Sequence, residues 1–566
     1  MLIAGAGLAI MIAASVFARR TGVAAPLLLV VLGIGASYLP GAPAIHIEPE
    51  LILAGVLPPL LYSSAVNLPV IDFRRNLFLI TWLSVVMVIV SAVVIGAVVH
   101  WIFPSISFAL ATALGAVVSP TDAVAATAIG RRVGLPPRVM AVLEGESLVN
   151  DASALVVLRT AVATFFVAGG FSFWPAVGDF AWAVAGAALV GVPVGLVTVL
   201  LRQRLDDPVL NTTISFAVPF LAYFPAEGMD ASGVLAVVLA GLMTGTLGSR
   251  RFSARDRQTQ ATTWTTISFI LESGVFLAMG YQLPELVDAA RVETTTAEIT
   301  GLVAIVVGLL VVLRFLGLAW PALNDRFARP EQGDQMRSRL DQFEEKLDSI
   351  TPGHQREETR LGWARHRLAR GRADIAFQER EPLDTRGIVA IAWAGMRGAI
   401  TVAAAQTIPA GTPHRATVVL AAFLVALITL VFFGLTLPVV IRRLGFESES
   451  TEEKQDAVQG LLRRVGESAV DTLGPLEEQT IDGEPVDPEL ASTLKERILP
   501  RLLTGVREAR HTKPDTIERS LILQRRYLTA MREALATERS IGAYSSDTYR
   551  QVESLLDSLE QRMGTT

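Results

Sequence analysis

As far as about Pro321 the chain alternates long apolar runs with short polar, arginine-bearing connections, and two more apolar runs lie at 387–409 and 415–441. A helix needs roughly 17–25 mostly apolar residues to cross a hydrocarbon core. Thirteen segments fit that pattern, at approximately 2–18, 23–40, 50–67, 77–103, 108–129, 139–168, 180–201, 209–224, 231–248, 262–281, 298–321, 387–409 and 415–441. The predicted fold class is an all-α polytopic membrane protein with about thirteen transmembrane helices over residues 1–445. A polar insertion at 325–386 and a tail at 446–566 complete the chain. The first apolar run has no basic residue before it and is followed at once by others, so it reads as a first span rather than a cleaved signal.

The connections give an independent check on this pattern. With the N-terminus outside, the short inside connections carry Arg19, Arg20, Arg74, Arg75, Arg131, Arg132, Arg138, Arg202, Arg204, Arg250, Arg251, Arg255 and Arg257. The short outside ones carry only Arg291 and Arg415. Basic residues gather on the cytoplasmic side of membrane proteins, so the asymmetry supports this alternation. It also places the insertion and the tail in the cytoplasm. The expected location is the cell membrane. The insertion mixes both charge signs and has a Pro-Gly break at 352–353, which predicts a pair of polar, surface-lying helices. Apolar spacings of three and four predict tail helices over 518–537 and 546–563. A solvated helical appendage accounts for both stretches; a regulatory or dimer-supporting role is the sharper alternative.

Composition agrees with a lipid-solvated chain. Hydrophobic residues make up 51% and charged residues only 18%, where soluble domains carry about 25% charged. The net charge of −5 sums over unlike regions and points to no nucleic-acid partner. The absence of cysteine excludes disulfides, thiolate chemistry and Cys-ligated metals. No nucleophile constellation, phosphate loop or metal-ligand cluster occurs, so neither an enzyme nor a bound cofactor is expected.

The candidate chemistry lies in residues 119–151. Ser119-Pro-Thr-Asp122 interrupts the fifth span, and Glu144-Gly-Glu-Ser-Leu-Val-Asn-Asp151 lies in the sixth. Ionised carboxylates at membrane depth are expensive and normally face a cavity, a partner charge or a bound ion. On a helix, Glu144, Ser147 and Asp151 share one stripe, and Glu146 and Asn150 an adjacent one. Polar helix-to-helix contacts would explain Ser147 alone, but not this density of carboxylates. Oxygen ligands of this kind suit hard monovalent cations such as Na+ or Li+. Pro120 removes a backbone donor and opens the helix, and discontinuous helices are how transporters build midplane ion sites. The twelfth span holds a counterpart, Trp393-Ala-Gly-Met-Arg-Gly-Ala399. Spans seven apart run in opposite directions, which predicts an inverted repeat of spans 1–6 and 8–13 with two crossing broken helices. Arg397 requires a partner, with Glu146 or Glu144 the candidates, and Glu272 with Arg314 is a second expected pair. Arg159 receives no assignment.

These residues resemble the monovalent cation/proton antiporter family, in the branch of the sodium/proton antiporters and sodium/hydrogen exchangers. The matching motifs are Pro58-Pro59, Pro120-Thr-Asp122, Gly145-Glu-Ser-Leu-Val-Asn-Asp151 and Gly395-Met-Arg-Gly398, spread over roughly residues 1–445. The resemblance implies an inverted-repeat fold, a homodimer and an elevator-like movement of a core domain. It implies exchange of Na+ (or Li+) for H+, with K+/H+ exchange as the alternative and a passive cation channel as a weaker one. Asp151 would bind H+ or Na+ alternately. Ser147 and the Thr121 backbone would complete the ion shell, Asn150 would hold the broken helix near Thr121 and Asp122, and Glu146 would pair with Arg397. Some relatives carry an acidic residue shortly after the third-span Pro-Pro. Here the sequence is Leu60-Leu-Tyr-Ser-Ser64, so only Ser63 or Ser64 could supply a neutral oxygen.

Overall fold

The computed structural model describes residues 2–21, 25–40, 48–166, 173–205, 207–350, 354–446, 451–474, 479–481, 484–486 and 514–564. The chain forms two compact units. One comprises Met1–Ser249, Thr259–Ala328 and Leu383–Ser448; the other comprises Arg250–Gln258, Arg329–Pro382 and Glu449–Thr566.

The first unit is helical, and each of the thirteen apolar segments coincides with a helix or a broken helix. Among the described residues, seven helices are long and apolar enough to cross a membrane: Leu77–Ile102, Pro137–Phe165, Val177–Arg202, Pro208–Glu227, Ala254–Glu293, Thr296–Pro321 and Arg415–Leu444. Shorter apolar helices run at Gly5–Ala18, Ala25–Ser37, Leu51–Asn67, Phe108–Val118 and Gly233–Gly248. Several start where a side chain satisfies the free N–H groups of a first turn. Ser107 accepts from the Leu110 N–H (3.3 Å), and Asp384 from the Gly387 N–H (2.8 Å). Asp207 accepts from the Val209 N–H (2.7 Å) just before Pro208, which needs no donor at that position.

Within this unit two groups of helices pack most closely among themselves, and one apolar core runs through both; each group is called a bundle below. In one, Met87–Ile102 packs on Phe108–Val118, Pro137–Phe166 lies against both, and Ala399–Gln406 and Arg415–Leu444 close the far side. The approach is close enough that a Cβ on Gly115 would stand 2.6 Å from the Ala92 carbonyl oxygen. In the other bundle, Phe173–Arg202 packs on Pro208–Glu227, which packs on Leu57–Asn67. The N-terminal half of Ala254–Glu293 joins this second bundle. Arg202 Nη2 donates to Gln260 Oε1 (2.6 Å) and Trp264 Nε1 to Ser215 Oγ (3.0 Å). The sequence analysis left Arg159 unassigned; it pairs with Glu227 across the two bundles (2.6 Å).

In the second unit, Gln355–Arg380 packs Leu361 and Leu368 on Leu340 and Leu347 of Thr296–Asp348. Arg372 adds ion pairs to Asp341 (3.0 Å) and Glu344. The predicted pair of helices is therefore present, with the first continuous with the eleventh apolar run; the Pro-Gly break lies outside the described residues. Among the described residues the tail forms the helices Thr451–Leu473, Pro514–Ile541 and Ser546–Gly564. They enclose a core that includes Leu461, Val465, Leu523, Tyr527, Tyr549, Val552 and Leu556. Thr480–Ile481 and Glu484–Pro485 form a short antiparallel ladder beside it.

Because the Ala92 backbone cannot yield to a side chain at position 115, Gly115→Val should destabilise the protein by about 1–3 kcal/mol. A thermal melt of the detergent-solubilised variant checks this; an unchanged melting temperature would show that the two helices are free to separate.

Candidate ion-binding site

The site is built on two interruptions. Phe108–Val118 ends before Ser119, residues 120–122 are non-helical, and Ala123–Val133 resumes the helix. Thr385–Trp393 likewise ends before the non-helical stretch 395–398, and Ala399–Gln406 continues. The two interruptions cross and are joined there. The Asp122 N–H donates to the Met396 carbonyl (2.7 Å). A Cβ on Gly398 would fall 2.5 Å from Asp122 Oδ2, so only glycine allows this approach.

Four helix ends meet at the crossing, and each pair needs charge of the opposite sign. Arg397, only 4% exposed, serves the two carbonyl ends. Its Nε donates to the Val118 carbonyl (2.6 Å) and its Nη1 to the Gly395 carbonyl (2.7 Å). Asp122 stands just before Ala123–Val133 and against Gly398, which caps Ala399–Gln406, so its carboxylate faces two N–H ends.

This arrangement corrects the expected pairing of Arg397. Glu146, 1% exposed, forms a two-pronged ion pair with Arg314, one arm of which is Nη2 to Oε2 at 2.8 Å. Arg314 comes from Thr296–Asp348 and also donates to the Ile391 carbonyl (3.2 Å). Arg397 is held instead by the carbonyls that the broken helices set free, a demand that a side chain at position 146 does not meet. The expected Glu272–Arg314 pair is also absent, since Arg314 is engaged by Glu146. Glu272 is half-buried, has no hydrogen bond or ion pair among the described residues, and lies within electrostatic range of Asp122. Glu144, the other candidate for Arg397, pairs with Arg131 (2.7 Å) near solvent.

Pro137–Phe166 presents its two polar stripes as the spacing predicts. Glu146 and Asn150 both turn to the first interruption. Thr121 Oγ1 donates to Glu146 Oε1 (2.9 Å), and Asn150 Nδ2 donates to Thr121 Oγ1 (3.0 Å) and to the Thr121 carbonyl (3.3 Å). A residue absent from the sequence reading, Ser84, braces the same turn of helix. Its hydroxyl donates to the Ile80 carbonyl (2.6 Å) and lies 3.2 Å from the Glu146 carbonyl, at a π-helical turn over Trp82–Val86. Such turns often mark functional positions, but no residue type announces one.

On the neighbouring stripe, Asp151 is 6% exposed and accepts no hydrogen bond or ion pair from any described residue. The charge that acts on it is that of Asp122. Asn150 Oδ1, fully buried beside it, is also without a donor among the described residues. Ser147 stands one turn before Asp151 and is half-buried. Of the third-span serines, Ser63 is buried with its carbonyl bonded to Asn67 (2.8 Å) and Ser64 is exposed. Neither joins the Thr121–Asn150–Glu146 network. A buried carboxylate without a compensating partner must take up a proton or a cation, and oxygen donors lie on either side of Asp151.

Comparison with known proteins bears on the same residues. The family described as sodium/hydrogen exchanger, transmembrane, matches residues 7–336. An uncharacterized Na+/H+ exchanger of Mycobacterium tuberculosis is 26% identical over 97% of this chain and 93% of its own. A sodium, potassium, lithium and rubidium/H+ antiporter of Bacillus pumilus is 28% identical over 79% of this chain and 62% of its own. Among solved structures, a sodium proton antiporter from Methanocaldococcus jannaschii superposes with a TM-score of 0.55 at 16% identity, covering 78% of this chain and 98% of that one. That likeness is one of fold.

Breaking a buried ion pair from one side costs about 3–5 kcal/mol, more than removing both charges together. The losses of stability in Glu146→Gln and Arg314→Gln should therefore sum to more than the loss in the double variant, as read by thermal melts in detergent. Additive losses would show that the pair is not coupled.

Proposed function

The chain belongs to the sodium/hydrogen exchanger family of membrane cation/proton antiporters, and we propose that it exchanges Na+ for H+ at Asp151 by alternating access. The observation that carries this reading is the buried Asp151 carboxylate, which has no hydrogen-bond or ion-pair partner among the described residues, beside the unwound Thr121 and an Asn150 oxygen that likewise has none among them. Deprotonated, Asp151 binds the cation with oxygens from Ser147, Asn150 and the Thr121 region. Protonated, it has no charge to hold a cation. Each movement of the site then carries one or the other, and competition for a single carboxylate produces the exchange.

Asn150 is neutral, so one titrating group serves the ion at this pair of positions, and exchange is one for one and electroneutral. Glu146 carries no ion in this account, because Arg314 already balances it; its task is to fix the helix turn that faces Thr121. The third span supplies no acidic ligand, which favours a site that is weakly selective among small monovalent cations. The relatives named for sodium, potassium, lithium and rubidium make K+ the second cation to examine. The proposed setting is a homodimer in the cell membrane with the tail in the cytoplasm.

Everted membrane vesicles with an acid interior and a pH-reporting dye test the proposal. Added Na+ should collapse the gradient, Li+ should do the same, and a parallel K+ arm ranks the second cation. Asp151→Asn should abolish the response to every cation while the protein is still inserted at wild-type level. A response retained in Asp151→Asn would move the exchange to another carboxylate, and a current that reverses with the Na+ gradient would rule out one-for-one stoichiometry.

A further inference from the structure

The helix that carries Asp151 is open on one side of that residue and closed on the other. Between positions 141 and 155 every residue is buried except Glu144, Ser147 and Val149. Glu144 and Ser147 belong to the stripe that ends at Asp151. Glu144 precedes Asp151 by two turns, about 10 Å along the axis. Beyond Asp151, residues 152–155 are all buried. In this conformation the polar approach to Asp151 therefore comes from the end of Pro137–Phe166 that bears Glu144. That is the end which the arginine asymmetry assigns to the cytoplasm.

Glu144 already holds a cation of the protein itself. Arg131, near the end of Ala123–Val133, donates from Nη2 to Glu144 Oε1 (2.7 Å). The two side chains differ in freedom, the arginine being 65% exposed and the glutamate 23%. The neighbouring charges on the same helix are engaged elsewhere, Glu146 by Arg314 and Arg138 by Asn76 Oδ1 (3.0 Å). An exposed ion pair adds little to stability, because each partner exchanges water for the other at near parity. By the same parity, a cation from solution can displace the Arg131 guanidinium from Glu144 at little cost, and the released arginine returns to water. A held carboxylate at the head of a polar stripe, covered by a mobile cation, is arranged for capture.

We propose that Glu144 is the entry carboxylate of the transport path, which takes up the incoming monovalent cation in place of Arg131 and hands it past Ser147 to Asp151. The proposal rests on the exchange reading given above and adds a step before it. Glu144 concentrates cations at the mouth, and Arg131 tunes that effect by competing for the same oxygens. The charge of Glu144 favours protons at Asp151 as much as Na+, so the two effects cancel where protons compete strongly. The gain for Na+ is therefore read at alkaline pH.

Initial exchange rates are measured in everted vesicles, whose outer medium reaches the cytoplasmic face, over a series of Na+ concentrations at alkaline pH and low ionic strength. Glu144→Gln should raise the KM for Na+ about two- to fivefold at an unchanged maximal rate, and Arg131→Gln should lower it by a similar factor. Added choline chloride should close both differences from wild type. The charge swap, Glu144→Arg with Arg131→Glu, keeps an ion pair between the two helices but takes the carboxylate off the stripe. Its KM should stay at least as high as that of Glu144→Gln. KM shifts in the same direction in both single variants, no shift in either, or a swap that restores the wild-type KM would overturn the entry role while leaving exchange intact. Failure of the exchange reading is distinct: wild type itself would respond to neither Na+ nor K+, and the entry role would fall with it.

Discussion

Two helices broken where they cross present four uncompensated ends to one another, and the rest of the transport unit is arranged around that electrostatic demand. A continuous helix satisfies its backbone internally, so a break at membrane depth survives only where something replaces the lost partners. Here Arg397 bonds the Val118 and Gly395 carbonyls, while Asp122 faces the N–H ends at Ala123 and Gly398. The backbone bond from Asp122 to Met396 fastens one break to the other. Charge, geometry and the need for glycine at position 398 are therefore one constraint, not three.

That constraint explains the division of labour on Pro137–Phe166. Glu146 and the Asn150 amide NH2 hold Thr121 in place, and Glu146 is balanced by Arg314 from a third helix, so the fixed charge of this stripe is committed to structure and only the Asn150 oxygen is left for the ion. On the adjacent stripe Asp151 has no partner among the described residues, and the amide oxygen beside it has none among them either. A site that exchanges one cation for another must not be neutralised by a fixed charge, since a permanent ion pair would exclude both. The proposed role of Asp151 follows from what its neighbours do not offer it, and the fixed charges of the network are spent elsewhere.

Much of this was legible in the residue pattern, because the governing quantities are local. Apolar run length located the thirteen helical segments, Pro120 and the glycines flanking Arg397 marked both breaks, and helical spacing separated the Glu146–Asn150 stripe from Asp151. The charge pairing was not legible. Arg314 lies 168 residues from Glu146, and Arg397 binds main-chain carbonyls that carry no sequence signature. An arginine in an apolar helix says that a partner exists without saying which. Ser84 was missed for a similar reason, since it acts through a π-helical turn that its neighbours do not encode. In the tail, helix and apolar spacing were readable, whereas the ion pair of Arg257 with Asp557 joins positions 300 residues apart.

The central claim is that a cation and a proton compete for the one carboxylate at position 151. Proton release on cation binding tests it without any need for transport. Purified protein in detergent, kept in weakly buffered solution with a pH indicator, is titrated with NaCl against a choline chloride control. The account predicts proton release that saturates with Na+, does not exceed one per chain, and vanishes in Asp151→Asn. Saturable Na+ binding with no proton released, or release that persists in Asp151→Asn, would contradict it.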